Sequence, residues 1–288
     1  MSSEPVSNPL PNHESRCPGK LVELSVGQTH YQVSGPEDGV PLLLVHGFAS
    51  WSFAWQPVLP ALDAAGFRTY ALDLYGRGYS ARPQGAYSID RYLRQINEFM
   101  EKIGVQAPFR LMGWSMGGAI VLNFADRYPE KVAQLGMMAP AGLALKKPKG
   151  SGLLTLPLVG KLFATVLGRA ALREGVRRNF SDPTRMKEFR DHIEVSARYP
   201  GYYQALASTL RDMPLFDLRD VYTRVGAQGR KSLLIWGQDD LVCPHKGSEL
   251  GCRLLNDVQF HSIPAMGHAC HWESPDVVGE AIASFFTE

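Results

Sequence analysis

Hydrophobic positions along this chain fall into short blocks separated by amphipathic stretches, and the blocks differ in kind. Residues 21–26 and 29–33 alternate apolar and polar around Gly27-Gln28, which predicts two short strands joined by a tight turn and an antiparallel edge to a sheet. Residues 41–45, Pro-Leu-Leu-Leu-Val, are instead continuously apolar and stop at His46-Gly47, as a strand buried on both faces does. An alternation then sets in. A helical stretch at 55–65 leads to a strand at 68–72, a helix at 90–103 to a strand at 109–113, and a helix at 116–127 to a strand at 132–138. The pattern breaks after Pro140-Ala-Gly142 and resumes at 231–236, followed by a strand at 258–263 and a last helix at 275–286.

Alternating strands and helices predict an α/β fold with a mostly parallel, doubly wound sheet covered on both faces. The intervening segment, 143–219, is an insertion. Within it Leu158, Val159, Leu162, Phe163, Val166 and Leu167 recur at three-to-four spacing, the mark of an amphipathic helix, so the insertion is expected to be a helical cap. The expected organisation is a flexible leader at 1–20, a core formed by 21–142 and 220–288, and the cap at 143–219.

Composition narrows the function classes. With 288 residues, 30 basic and 28 acidic side chains and a formal charge of +2, the chain has neither the basic surplus nor the spaced zinc ligands of a nucleic-acid binder. Charge is unevenly divided: 143–219 holds fourteen Lys and Arg against seven Asp and Glu, a net +7 that leaves −5 on the remainder. That basic cap is taken as a solvated face in preference to one that attracts an anionic substrate or lipid. Cys17, Cys243, Cys252 and Cys270 stand singly, with no C-x-x-C pair, which suggests reduced thiols and a cytoplasmic protein. The leader has no secretory pattern and no apolar run is long enough for a spanning helix, so lipid contact is expected to be peripheral at most.

One pentapeptide carries chemistry. Gly113-Trp114-Ser115-Met116-Gly117, followed by Gly118, lies between an apolar strand and a helical segment, the setting in which G-x-S-x-G acquires meaning. Small neighbours let a sharp turn lift the hydroxyl above the sheet and toward the positive end of the following helix. A serine hydroxyl is a poor nucleophile until an imidazole takes its proton, and the imidazole needs a carboxylate to fix its tautomer. Downstream, the 231–236 strand runs into Gly237-Gln-Asp-Asp240, and Gly267-His268 follows the 258–263 strand. Ser115, Asp240 and His268 are the expected set, with Asp239 and His271 as competitors.

These motifs resemble the alpha/beta-hydrolase fold superfamily, in its capped esterase and C-C hydrolase branch, from about Leu21 to the end of the chain. The resemblance implies that the acid is the Asp of G-x-x-D-x-x-x-P, here Gly237, Asp240 and Pro244, and that the histidine precedes E-x-P, here Glu273-Ser-Pro275. It implies that His46-Gly47-Phe48 is the H-G-x loop, so that the backbone N–H groups of Phe48 and Met116 hold the oxyanion. His46 itself is expected to be structural, hydrogen bonding to nearby backbone. Asp73-Leu-Tyr-Gly76-Arg-Gly78-Tyr-Ser80 is similar to the family's structural turn after the fourth strand. It lacks the G-x-G-x-x-G of a dinucleotide site, and the chain has no H-E-x-x-H, so neither a cofactor nor a catalytic metal is expected.

Aromatic residues around the elbow and the cap helix suggest an apolar lining, with Trp51, Trp114, Leu162 and Phe163 as substrate-binding candidates. The expected function is hydrolysis of small-molecule carboxylic esters with an apolar acyl or aryl group through an acyl-enzyme. A second reading is cleavage of ring-fission diketones. Relatives with that activity share a similar G-x-S-M-G-G elbow and a W-G-x-D-D segment, matched by Trp236-Gly-Gln-Asp-Asp240, but commonly carry Asn where this chain has Trp114. A third is a non-catalytic receptor on the same fold.

Overall fold

The computed structural model describes residues 18–143 and 168–288. The leader up to residue 17 and the expected cap helix at 158–167, with Leu162 and Phe163, lie outside the described residues.

The strands are β1 (Lys20–Leu24), β2 (Gly27–Ser34), β3 (Val40–Val45), β4 (Phe67–Leu72), β5 (Phe109–Trp114), β6 (Val132–Met138), β7 (Ser232–Gly237) and β8 (Val258–Ile263). They form one sheet in the order β1-β2-β4-β3-β5-β6-β7-β8. β1 and β2 are antiparallel to their neighbours, and every pairing from β4 onward is parallel. The antiparallel edge and the parallel body are therefore as the hydrophobic pattern predicts. The hairpin turn is not: Leu24 pairs with Gly27, so the turn is Ser25-Val26 and Gly27 opens β2. Ser25 is held there by its N–H and hydroxyl, which both donate to Glu98, a tertiary contact that strand alternation does not encode.

Helices α1 (Leu59–Ala64), α2 (Ile89–Lys102), α3 (Met116–Arg127), α4 (Gly168–Arg177), α5 (Met186–Ala197), α6 (Tyr202–Asp212), α7 (Arg219–Gly226), α8 (Gly247–Leu255) and α9 (Pro275–Thr287) accompany the sheet. The expected helix at 55–65 is a 3-10 segment, Ser52–Val58, that runs into α1. α8 is absent from the sequence-based expectation, because its two glycines mask its apolar face. Gly251 packs so closely on Leu143 and Leu234 that an added Cβ would stand 3.1 Å and 3.2 Å from their methyl carbons. A crossover between the parallel strands β7 and β8 is nonetheless required by their pairing.

Period-two alternation in the central strands divides the core. Leu43, Val45, Leu111, Leu135, Met137 and Leu234 face one layer, with α2 and α3. Leu42, Leu44, Met112, Met138, Leu233 and Ile235 face the other, with α1 and α9. The stretch α4 to α6 lies between β6 and β7 in the chain. Val176, Phe180, Phe189 and Ile193 bury their side chains in the second cluster, beside Phe53 and Trp272.

Candidate active site

Ser115 stands between the end of β5 and the start of α3, with φ 57° and ψ −117°. A non-glycine residue with positive φ is strained and persists only where its surroundings over-determine it. Here the surroundings are glycines. A Cβ on Gly113 would run into the Gly117 carbonyl, one on Gly117 into the Val45 carbonyl, and one on Gly118 would lie 2.7 Å from Pro140 Cβ. Backbone bonds hold the turn from both sides: Ser115 N–H donates to Met138 O at 2.9 Å, and Ala141 N–H to Ser115 O at 3.0 Å.

The sheet then brings the predicted partners to this turn. His268 Nε2 lies 2.8 Å from Ser115 Oγ, and His268 Nδ1 lies 2.7 Å from Asp240 Oδ2. Asp240 Oδ1 accepts from the N–H groups of Val242 and Cys243 at 2.7 Å and 2.8 Å. With the carboxylate accepting on both oxygens, Nδ1 is the donor, and Nε2 is left free to accept the Ser115 proton. All three residues are buried. The neighbouring Asp239 is exposed, and its N–H is bound to Met266 O.

His268 is fixed through its backbone and its neighbours. Trp114 Nε1–H donates to His268 O at 2.9 Å. Glu273 accepts from Gly267 N–H at 2.6 Å with one oxygen and from Ser181 and Asp182 N–H at 2.7 Å and 2.8 Å with the other. Ala269 N–H donates to Asn179 O at 2.8 Å, so the segment that follows α4 is bound directly to the histidine loop.

His271 does not compete. Its two ring nitrogens are buried and make no hydrogen bond of good geometry among the described residues, the nearby Ala54 carbonyl being taken by Trp272 Nε1–H at 2.8 Å, and the ring packs 4.6 Å from Trp114 and 5.6 Å from Trp55. Burial, with His268 nearby, pushes its pKa down to about 3. His46 is structural, as expected. Its Nε2 accepts from Leu74 N–H at 3.0 Å while Nδ1 donates to Gly47 O at 2.7 Å, and burial lowers its pKa to about 4 against the pull of Asp73.

The His46-Gly47-Phe48 loop lies against the elbow, where a Cβ on Gly47 would stand 3.0 Å from the Trp114 ring and 3.4 Å from Ser115 Cβ. Neither Phe48 N–H nor Met116 N–H has an acceptor among the described residues, and Met116 opens α3, where backbone donors point outward. Two free N–H groups beside a serine hydroxyl can stabilise an oxygen that becomes negative. Sequence reasoning missed the residue that orients this loop. Buried Arg77 donates to Phe48 O at 2.9 Å and to Thr209 Oγ1 of α6 at 2.9 Å. The turn that carries it is organised by Asp73, which accepts from Ser52 N–H at 2.7 Å, His30 Nδ1 at 2.7 Å and Tyr79 N–H at 2.8 Å. Burial alone would raise the Asp73 pKa, but His30 beside it holds it below the usual carboxylate range.

Over Ser115 and His268 lies a cavity of about 270 Å³ whose apolar walls include Phe48, Trp114, Leu172, Val176, Phe189 and Ile193. Trp114 is among the lining residues. Trp51 is not: its Nε1–H is bound to His192 O at 2.9 Å, and its ring packs edge-on against Tyr79. The walls that sequence reasoning missed come from α4 and α5, where Leu172/Val176 and Phe189/Ile193 recur at i, i+4, a signal present in the chain but diluted by surrounding arginines. Among the described residues no group of three or more His, Cys, Asp or Glu is placed to hold a metal ion. No helix among them is long and apolar enough to cross a membrane.

The family model for the alpha/beta hydrolase fold matches residues 40–275. The chain is 30% identical to a dihydrolipoyllysine-residue acetyltransferase component of an acetoin cleaving system from Pseudomonas putida, over 87% of this chain but only 64% of that protein. It is 27% identical to a 2-hydroxy-6-oxo-6-phenylhexa-2,4-dienoate hydrolase from Comamonas testosteroni, over 92% of this chain and 93% of that one. It is 25% identical to an uncharacterized carboxylesterase, nap, from Bacillus subtilis strain 168, over 94% and 87% of the two chains.

Proposed function

The chain belongs to the alpha/beta hydrolase fold family, and on that premise we propose that it is a serine hydrolase of small carboxylic esters bearing an apolar acyl or aryl group. The observation that carries this is the hydrogen-bonded line from Ser115 Oγ through His268 to Asp240, at 2.8 Å and 2.7 Å. Ser115 attacks the ester carbonyl while His268 Nε2 takes its proton, and buried Asp240 stabilises the imidazolium that forms. The Phe48 and Met116 N–H groups receive the oxyanion, where loss of one donor typically costs about a hundred- to thousand-fold in rate. Collapse of the tetrahedral intermediate passes the proton from His268 to the leaving alcohol. A water activated by the same imidazole then releases the acid.

The apolar cavity of about 270 Å³ supports an acyl or aryl group of modest size, and in this reading the 143–219 insertion is the cap that covers it. Cleavage of ring-fission diketones is the second reading, favoured by the likeness to the Comamonas enzyme. Against it, the indole N–H of Trp114 is already spent on His268 O, so position 114 offers no polar group to the substrate.

The test is fluorophosphonate labelling of wild type and Ser115→Ala, followed by p-nitrophenyl esters of graded acyl length. Labelling confined to wild type, with turnover that tracks acyl length, is the expected result. Folded protein that takes no label refutes the serine mechanism. Labelling without ester turnover, joined to turnover of a phenyl-substituted ring-fission dienoate, moves the assignment to the second reading.

A further inference from the structure

The cavity over Ser115 shares a wall with a second one. A groove of about 240 Å³ runs between α4 and α5 and is closed by Tyr203 of α6. Leu172, Val176, Ile193 and Tyr203 face both spaces. Val176 and Ile193 are buried, while Leu172 and Tyr203 are half-buried and form the rim between the two.

The residues that face only the groove are of another kind. Arg169 and Arg173 come from α4, Arg190 from α5 and Arg198 from the residue that follows α5, and Glu194 is the one carboxylate among its lining residues. The spacing 169/173 and 190/194 puts each set on a single helical face, with Arg198 directly after the second helix, so four arginines meet across the groove against the one carboxylate, Glu194. Other basic side chains in and next to these helices are neutralised locally: Arg177 pairs with Glu174, Arg185 with Glu188, and Lys187 with Asp191. Among the described residues, Arg169, Arg173 and Arg198 have no carboxylate within ion-pair distance, and Arg190 reaches only Asp191, at 3.9 Å. Arg169 and Arg173 are close enough to Tyr203 to pull its phenol pKa down against the burial that raises it.

A basic surface that merely keeps a protein soluble points its charges outward and apart. Here four arginines, Arg190 half-buried and the other three exposed, line one concave space, where walls of low dielectric focus their field. Guanidinium forks match the paired oxygens of carboxylate and phosphate. We infer that the α4/α5 groove is an anion subsite for a carboxylate or phosphate carried by the same molecule whose ester lies at Ser115. The substrates are then esters with an anionic group remote from the scissile bond, the chain between the two crossing the Leu172–Tyr203 rim. This revises the expectation that the basic cap is only a solvated face, and it rests on the ester-hydrolase reading of the neighbouring cavity.

The test compares mono-p-nitrophenyl suberate with p-nitrophenyl octanoate, esters of equal length that differ in a terminal carboxylate, on the full chain and on its Arg173→Gln/Arg198→Gln variant. The ratio of kcat/KM values, suberate over octanoate, is expected to fall by about tenfold in the variant, as for two exposed charge pairs, and to fall in wild type as salt is raised. A ratio that ignores both the substitutions and the salt overturns the proposal. So does a variant that loses binding to vesicles containing anionic phospholipid while its ratio stands unchanged, because the groove would then serve a membrane surface. A binding measurement separates this from failure of the hydrolase reading. Calorimetric titration of Ser115→Ala with monomethyl suberate, and with octyl phosphate, should show binding that the two arginine substitutions weaken about tenfold, and the tighter probe identifies the anion as carboxylate or phosphate. Binding that persists in a protein inactive on every ester leaves the subsite intact and removes only the hydrolase reading, whereas absence of binding, or binding indifferent to the arginines, overturns the subsite.

Discussion

Acidification from neutral pH should strip stability from this protein through imidazoles it has buried uncharged. His271 lies between Trp114 and Trp55 with neither ring nitrogen in a hydrogen bond of good geometry among the described residues, and its pKa is driven down to about 3 by burial and by His268 nearby, against the smaller opposing pull of the Ala54 carbonyl. His46 is driven to about 4, also mainly by burial. The unfolded chain protonates each near 6.5, so between that pH and the folded value the unfolded state holds the extra proton. Stability is therefore complete above about pH 6.5 and is lost as pH falls, at about 1.4 kcal/mol per pH unit for each group. By about pH 5 each imidazole has withdrawn about 2 kcal/mol, and the pair about 4 kcal/mol, a large share of the ordinary margin of about 5–15 kcal/mol. Urea unfolding of wild type and His271→Phe at pH 7 and pH 5 isolates one of them, because Phe fills the space without titrating. The loss between the two pH values should be smaller in the variant by about 2 kcal/mol. His192 and His261, whose pKa values burial also lowers, titrate in both proteins and cancel in the difference. An equal loss in wild type and variant would show that His271 is not held neutral by its surroundings.

Two further substitutions probe how the histidine is held. Trp114→Phe keeps an aromatic ring over the site but deletes the donor to His268 O, and kcat for a p-nitrophenyl ester should fall by about tenfold while fluorophosphonate still labels Ser115. An unchanged kcat would show that the bond does not position the base. Glu273→Ala leaves three backbone N–H groups without their acceptor, and denaturant titration should record a loss of about 1–3 kcal/mol together with slower turnover. Lost stability with turnover untouched would confine Glu273 to a structural role.

The central strands were legible because a strand buried on both faces must be mostly apolar: residues 41–45 are so throughout, and 109–114 and 132–138 each carry one long polar side chain, Arg110 and Gln134, which bond to each other. The elbow was legible for a steric reason: only glycine fits where Gly113 and Gly117 meet backbone carbonyls, and three glycines around a serine are visible in a sequence. Asp240 and His268, the proposed acid and base, follow because each lies on a short connection directly after a strand of the same sheet, β7 or β8. What stayed hidden depends on contacts between distant segments. Trp51 is aromatic and close to the loop, yet its indole is turned to His192 O, 141 residues away in the chain. Arg77 sits inside a turn read as purely structural, yet its guanidinium spans from Phe48 to Thr209. Composition gives the surplus of arginine in the insertion, but only the packing of α4 on α5 decides that four of them share one groove.

That packing also joins the insertion to the chemistry. Glu273 holds Gly267, next to His268, with one carboxylate oxygen and the Ser181-Asp182 backbone with the other. Asn179 O accepts from Ala269 on the far side of the same histidine. A Cβ on Gly267 would stand 2.7 Å from Asn179 O, so the segment after α4 leaves the histidine loop no room to shift outward. The anion groove is formed by α4, which ends two residues before Asn179. A charge that draws α4 and α5 together therefore acts on an element bonded to the loop of the base. If the groove is a subsite, its occupancy should be felt in kcat as well as in KM for the suberate ester, and an effect confined to KM would mean that the loop of His268 is rigid without the insertion's help.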